Sequence, residues 1–199
     1  MRELSRACPY MARAVSAAGR PPLRRWSPGF DGLARIVVGQ QLSTASANAI
    51  LGRLQARVAP LDAAGIRNAT DEALLGCGLS RGKLATLRAL AVAIHEGAID
   101  LDALHGAPPE TVHAELTSVR GIGPWTADIY LVFCRGDRDV FPKGDLALQL
   151  AVQDLLSLDE RPSPTSLAEI AERWRPWRAV AARLLWSYYA VRKAERASR

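Results

Sequence analysis

An all-α fold is predicted for this 199-residue chain by three observations: apolar residues recur at intervals of three and four, strand-like alternation is scarce, and alanine-rich stretches are broken by proline and glycine. The helical periodicity runs through residues 30–38, 45–58, 84–94, 112–116, 127–133, 146–155 and 179–191. In each, the apolar positions form one stripe that a helix can bury while its polar face stays in water. The breaks fall at Pro21-Pro22, Pro28-Gly29, Pro60, Pro108-Pro109 and Pro162, where a helix loses a donor and the preceding residue is pushed toward extended backbone. Ser166 and Glu169 have the spacing of a capping box at a helix start. The segments share no fixed period, which disfavours a solenoid.

Composition narrows the class of protein. Hydrophobic residues make up 49% and charged residues 23%, ordinary values that argue against both disorder and a membrane protein. The longest apolar stretches carry arginines, such as Arg183 within 179–191, and so do not suit a bilayer. Glu3, Arg6 and Arg13 interrupt any apolar secretory region, so a cytoplasmic location is expected. Cys8, Cys77 and Cys134 are odd in number and far apart, which points to reduced, packed thiols and away from a disulfide framework or a metal cluster. His95, His105 and His113 form no recognisable ligand set. The net charge of +6 and pI near 9.7 permit a polyanionic partner without specifying one. The run Arg192, Lys193, Arg196 and Arg199 suits a helix C-terminus and reads first as a solvated tail, with a DNA phosphate contact as the alternative.

The most informative stretch is residues 116–128, Leu-Thr-Ser-Val-Arg-Gly-Ile-Gly-Pro-Trp-Thr-Ala-Asp. Two helices must meet here at a tight turn. Gly121 and Gly123 permit positive φ and leave room for a phosphate to approach the backbone. Pro124 suits the first turn of the next helix, whose free N–H groups would form an anion site. Thr126 stands where a dinucleotide fingerprint needs its third glycine, and no strand precedes the motif, so that reading fails, as does a P-loop.

Val119 to Ala127 resembles the hairpin of the helix-hairpin-helix, Gly-Pro-Asp superfamily of DNA glycosylases, and the match extends along the chain. Asp139-Val-Phe-Pro-Lys-Gly-Asp145-Leu-Ala-Leu is similar to the loop that presents that family's catalytic aspartate. Phe30 to Ser43, containing Gly39-Gln40-Gln41-Leu42, resembles the segment that wedges into DNA. Residues 171–179, with Trp174 and Trp177, and then Trp186-Ser-Tyr-Tyr189, resemble the C-terminal helices of alkylation-repair members. The four matches occur in the family's order.

The resemblance implies two helical lobes with a DNA-binding cleft between them, as a single glycosylase domain over 1–199 with the helix-hairpin-helix at about 112–133 and no N-terminal β domain. It implies a monofunctional glycosylase acting in base excision repair, which flips alkylated purines of the 3-methyladenine and 7-methylguanine type out of duplex DNA and hydrolyses the N-glycosidic bond. Asp145 is then the catalytic carboxylate, beside the positive charge that develops on the sugar; its alternative role is a helix cap. Trp125 stands where bifunctional relatives carry a Schiff-base lysine, so no lyase step is expected. Trp125, Trp186, Tyr130 and Tyr189 are candidates for the base pocket, where electron-rich faces attract cationic bases. Core packing is the competing reading for each, and the one that applies to Trp174 or Trp177. Gln40, Gln41 and Leu42 are the wedge candidates, with the choice between Gln41 and Leu42 left open. Gly121, Gly123, Thr126 and Lys143 are candidate phosphate contacts. The backbone carbonyls of Thr117, Val119 and Ile122 are candidate ligands for a monovalent cation, Na⁺ or K⁺. No other cofactor is expected, and no iron–sulfur cluster, since the last cysteine is Cys134. The expected partner is damaged double-stranded DNA, bound by a monomer near the nucleoid. Two rivals remain: a glycosylase of the same fold acting on uracil or hypoxanthine, and a non-catalytic helix-hairpin-helix lesion-binding protein.

Overall fold

The structure is a computed structural model that describes residues 1–198. Arg199, the last member of the basic run, lies outside the described residues. Thirteen α-helices follow one another among those residues: α1 Arg2–Ala7, α2 Pro9–Ala18, α3 Phe30–Gly39, α4 Thr44–Arg57, α5 Ala63–Asn68, α6 Asp71–Gly76, α7 Arg81–His95, α8 Ala103–Gly106, α9 Pro109–Ser118, α10 Pro124–Tyr130, α11 Leu146–Leu156, α12 Pro164–Ala171 and α13 Arg178–Ala197. A π-helical turn, Leu131–Arg135, continues α10, and a 3-10 turn, Glu172–Trp174, follows α12. No strand occurs among the described residues, as the periodicity predicts.

The helices fall into two compact units, a terminal unit of residues 1–24 with 136–198 and a central unit of residues 25–135. In the terminal unit α13 packs on α2 and α11, with α1 against α2 and α12 against α11. Met11, Leu148, Leu155, Leu167, Trp174, Leu184 and Leu185 form its buried core, so Trp174 takes the core role. The basic end of α13 is folded onto the same unit. Asp154 accepts hydrogen bonds from Tyr188 Oη at 2.6 Å and Arg192 Nε at 3.0 Å, and also pairs with Arg196. Arg192 and Arg196 of the basic run are therefore paired within the protein.

That hub gives the fold an acid-sensitive contact. Burial pushes the Asp154 carboxyl up, but the hydrogen bonds from Tyr188 and Arg192 and the charges of Arg192 and Arg196 outweigh it and hold it below the usual carboxylate range. A folded-state value below the unfolded one contributes stability that is complete above the ordinary aspartate value of about 3.9 and disappears as pH falls through the depressed value. Asp154→Asn is expected to lower stability by about 1–3 kcal/mol near neutral pH and to flatten this part of the acid limb, as measured by thermal melts from pH 7 to about pH 3.

In the central unit α3 packs against α4, α7 and α10, α5 and α6 pack against α7, and α9 lies on α10. Leu33, Leu54, Ile66, Leu74, Leu87, Leu90 and Leu116 are completely buried. Arg88 ties α7 to the α5–α6 connection through Asp71 and the carbonyls of Ile66 and Ala69.

Two local expectations are corrected, and four short helices escape the periodicity. α12 starts at Pro164 and is capped by Ser163, whose hydroxyl accepts from Ser166 N–H at 3.1 Å; Ser166 and Glu169 lie inside the helix. A proline at the first helical position favours that earlier start. The helix expected over 127–133 turns π-helical from Leu131, where Arg135 reaches the carbonyls of Leu104 and Ala107. The short helices α1, α5, α6 and α8 have four to six residues, fewer than two turns, so their apolar positions show no period. Among the described residues no helix is long and apolar enough to cross a membrane.

Candidate active site

The turn between α9 and α10 is built by two glycines with different reasons to be glycine. Gly121 has φ +90° and packs on α7, where a Cβ would overlap the Thr86 hydroxyl and come within 2.9 Å of Thr86 Cβ. Gly123 has φ −93° and ψ 175°, extended backbone open to any residue, and a Cβ there would meet nothing within 4 Å. The expectation of positive φ thus holds at Gly121 alone, and Gly123 faces open space. Val119 and Ile122 anchor the turn with buried side chains, and Ile122 N–H donates to Val119 O at 3.0 Å. That bond uses one lone pair of the Val119 carbonyl and leaves the second available. His113 on α9 faces Asp128 on α10 across the hairpin at 3.6 Å.

The hairpin is latched to the segment after α3. Gln40 Nε2 donates to Thr126 Oγ1 at 3.0 Å and reaches Gly121 O at 3.5 Å. Lys83 on α7 donates from Nζ to Val38 O at 2.8 Å, capping the end of α3, and burial lowers its amine below the usual lysine range. Gln41 then takes left-handed backbone at φ 56°, a costly conformation for a side chain with a Cβ, and is exposed beside Leu42.

In the terminal unit, Asp145 precedes α11 and serves as its N-cap. Its Oδ1 accepts from Leu148 N–H at 3.0 Å and from Trp186 Nε1 on α13, also at 3.0 Å. The loop leading to it is tight, with Lys143 N–H on Phe141 O and Asp145 N–H on Pro142 O. Its start is clamped as well: Asp139 accepts from Arg175 at 2.8 Å and from Arg178 Nε at 3.0 Å, and Glu172 bridges the same two arginines. One helix, α13, therefore holds the loop through both Arg178 and Trp186. A carboxylate oriented by two donors is suited to stabilising positive charge next to it or to polarising a water.

Residues 34–176 match the family model of the HhH-GPD superfamily of base excision DNA repair proteins. This chain belongs to that superfamily. The HhH-GPD protein is 33% identical over 163 residues to a probable bifunctional transcriptional activator/DNA repair enzyme of Mycobacterium tuberculosis, covering 77% of the chain but only 32% of that relative's length. It is 30% identical over 164 residues to a DNA-3-methyladenine glycosylase of Schizosaccharomyces pombe, covering 79% of the chain and 71% of the relative. A solved structure of a Schizosaccharomyces pombe 3-methyladenine DNA glycosylase with abasic DNA superposes with a TM-score of 0.80 at 29% identity, covering 88% of each chain.

Within the HhH-GPD protein the named residues separate as follows. Asp145 and Trp186 are brought together in the terminal unit, and Gln40, Thr126 and Gly121 in the central unit. Trp125 and Tyr130 belong to the central unit, Trp186 and Tyr189 to the terminal one. Tyr130 is 2% exposed and its hydroxyl accepts from Gly29 N–H, so it ties α3 to α10 and presents no face to a base. Thr126, named as a phosphate contact, is also 2% exposed, with its hydroxyl taken by Gln40 and its N–H by Gly123 O. Gln40, named with the wedge, is occupied by the same bond, which leaves Gln41 and Leu42 exposed at the tip. Trp186 is held edge-on by its own N–H to the aspartate, Tyr189 lines a small cavity beside Asp154, and Lys143 is exposed next to Asp145. Sequence reasoning missed Lys83, Thr86 and the Asp139–Arg178 clamp. Asp139 and Arg178 lie inside matched motifs, but nothing in their spacing shows that they meet.

Proposed function

We propose that this chain is a monofunctional DNA glycosylase that removes alkylated purines, of the 3-methyladenine and 7-methylguanine type, from duplex DNA by base flipping and hydrolysis of the N-glycosidic bond. The observation that carries the reading is the Asp145 carboxylate, fixed at the start of α11 and oriented by Trp186 Nε1. As the bond breaks, positive charge builds on the sugar, and the carboxylate beside it lowers the barrier or activates the incoming water. N-alkylation has already weakened that bond, so the base is selected by its charge and by stacking on an electron-rich aromatic face, with cation–π terms of about 0.5–2 kcal/mol. Gln41 or Leu42 fills the gap left by the flipped base. The open face of Gly123 receives a backbone phosphate, and Lys143, in the terminal unit, contacts a different one. The carbonyls of Thr117, Val119 and Ile122 would hold a Na⁺ or K⁺ ion, which when bound supplies positive charge for the phosphate at Gly123. Trp125 at the position of the Schiff-base lysine supports the absence of a lyase step.

The test is release of free base from a duplex treated with a methylating agent, followed by strand analysis with and without alkali. Release of methylated purines, with strand breaks only after alkali, is the expected result. No release of methylated base would overturn the substrate, and breaks without alkali would overturn the monofunctional mechanism. Because Trp186 orients Asp145, Trp186→Phe is expected to lower single-turnover base release about 10- to 100-fold while changing abasic-DNA affinity far less; equal effects on both would assign Trp186 to binding alone.

A further inference from the structure

The hairpin borders a cavity that the proposed chemistry leaves unused. It has a volume of about 450 Å³, lies within the central unit, and is lined among others by Gln40, Gln41, Ser80, Lys83, Arg120 and Gly121. That size admits a small organic group. Two of its lining side chains are cationic and none is acidic. Several arginines elsewhere are paired with carboxylates: Arg88 with Asp71, Arg178 with Asp139, Arg192 with Asp154. Among the described residues no carboxylate pairs with Arg120, and Lys83 donates only to the Val38 carbonyl, so the positive charge here is uncompensated. The rest of the wall offers amides and two hydroxyls and no aromatic ring on which a base would stack. A free nucleotide or a flipped base would leave its ring without a partner, whereas a sugar–phosphate backbone asks only for cations and donors.

We infer that this cavity is a second phosphodiester site for duplex DNA, held by Lys83 and Arg120 and distinct from the open face of Gly123. Gln41 explains why a backbone would pass here. Its left-handed conformation places it at the rim of the cavity, next to the exposed Leu42, so a strand engaged by that tip brings a phosphate to the two cations. The inference rests on the proposed DNA-glycosylase reading and adds a contact to it.

The experiment measures binding of a duplex containing a tetrahydrofuran abasic-site analogue by fluorescence anisotropy, from about 50 to 200 mM salt. Each phosphate contact contributes about 0.9 to the slope of log affinity against log salt. Arg120→Gln is expected to reduce that slope by about 0.9, and Lys83→Met by a similar amount at temperatures where a melt shows it folded. Arg57→Gln, the same loss of charge on an exposed arginine of α4 outside the cavity, is expected to leave the slope unchanged. Wild-type slopes in both cavity variants, or an equal fall in the Arg57 variant, would overturn the site. Release of methylated base by the wild type, assayed in parallel, tests the glycosylase reading separately: release with unchanged slopes removes this site and keeps the enzyme.

Discussion

Asp145→Asn is expected to abolish base release, by at least about 10²–10³-fold, with little change in folding or in affinity for abasic DNA. The size of the effect follows from what the substitution removes. An asparagine oxygen still accepts from Leu148 N–H and Trp186 Nε1, so the cap of α11 and the tie to α13 survive. The negative charge does not survive, and charge is what stabilises a developing cation on the sugar. Single-turnover release of methylated base, with melting temperature and abasic-duplex affinity alongside, separates the outcomes. Turnover close to wild type would remove Asp145 from the chemistry and leave it as a helix cap; lost release together with a large fall in melting temperature would show that the cap dominates.

Gly121→Ala is expected to cost about 2–4 kcal/mol of stability, roughly 5–15 °C in melting temperature, and to weaken duplex binding with it. Left-handed backbone is unfavourable for alanine by about 1–2 kcal/mol, and the new methyl would collide with Thr86 on α7. Gly123→Ala supplies the contrast. Its extended backbone and open surroundings predict an unchanged melting temperature, while a methyl group on the face proposed for phosphate lowers duplex affinity. If both variants melt like the wild type, the turn is not packed against α7 as described; if Gly123→Ala binds DNA normally, its open face is not the phosphate site.

Both pairs of residues show how far the sequence could be read. Asp145 was identifiable because the match around it is continuous along the chain, and the hairpin because glycine and proline declare a turn locally. The partners of these residues were not. Trp186 lies 41 positions from Asp145, and its aromatic character suggested a stacking surface, whereas its N–H is what touches the carboxylate. Tyr130 is a base-pocket candidate and Thr126 a phosphate-contact candidate by residue type alone, and both are buried with their oxygens in hydrogen bonds. The same limit applies to the basic run on α13, in which Arg192 and Arg196 pair with Asp154 across 38 and 42 positions.

The sequence by itself determined the helical class, the hairpin and the family, and singled out a candidate carboxylate, because helix periodicity, turn chemistry and continuous motifs are set by residues close together in the chain. Only the tertiary structure decided which face each side chain turns inward and which groups it meets: Gln40 against the hairpin, Lys83 on the end of α3, Arg178 on Asp139, and an uncompensated pair of cations at the Gly121 turn. Those contacts join residues 39 to 86 positions apart, and a hydrogen bond or ion pair depends on distance in space, which no local pattern encodes.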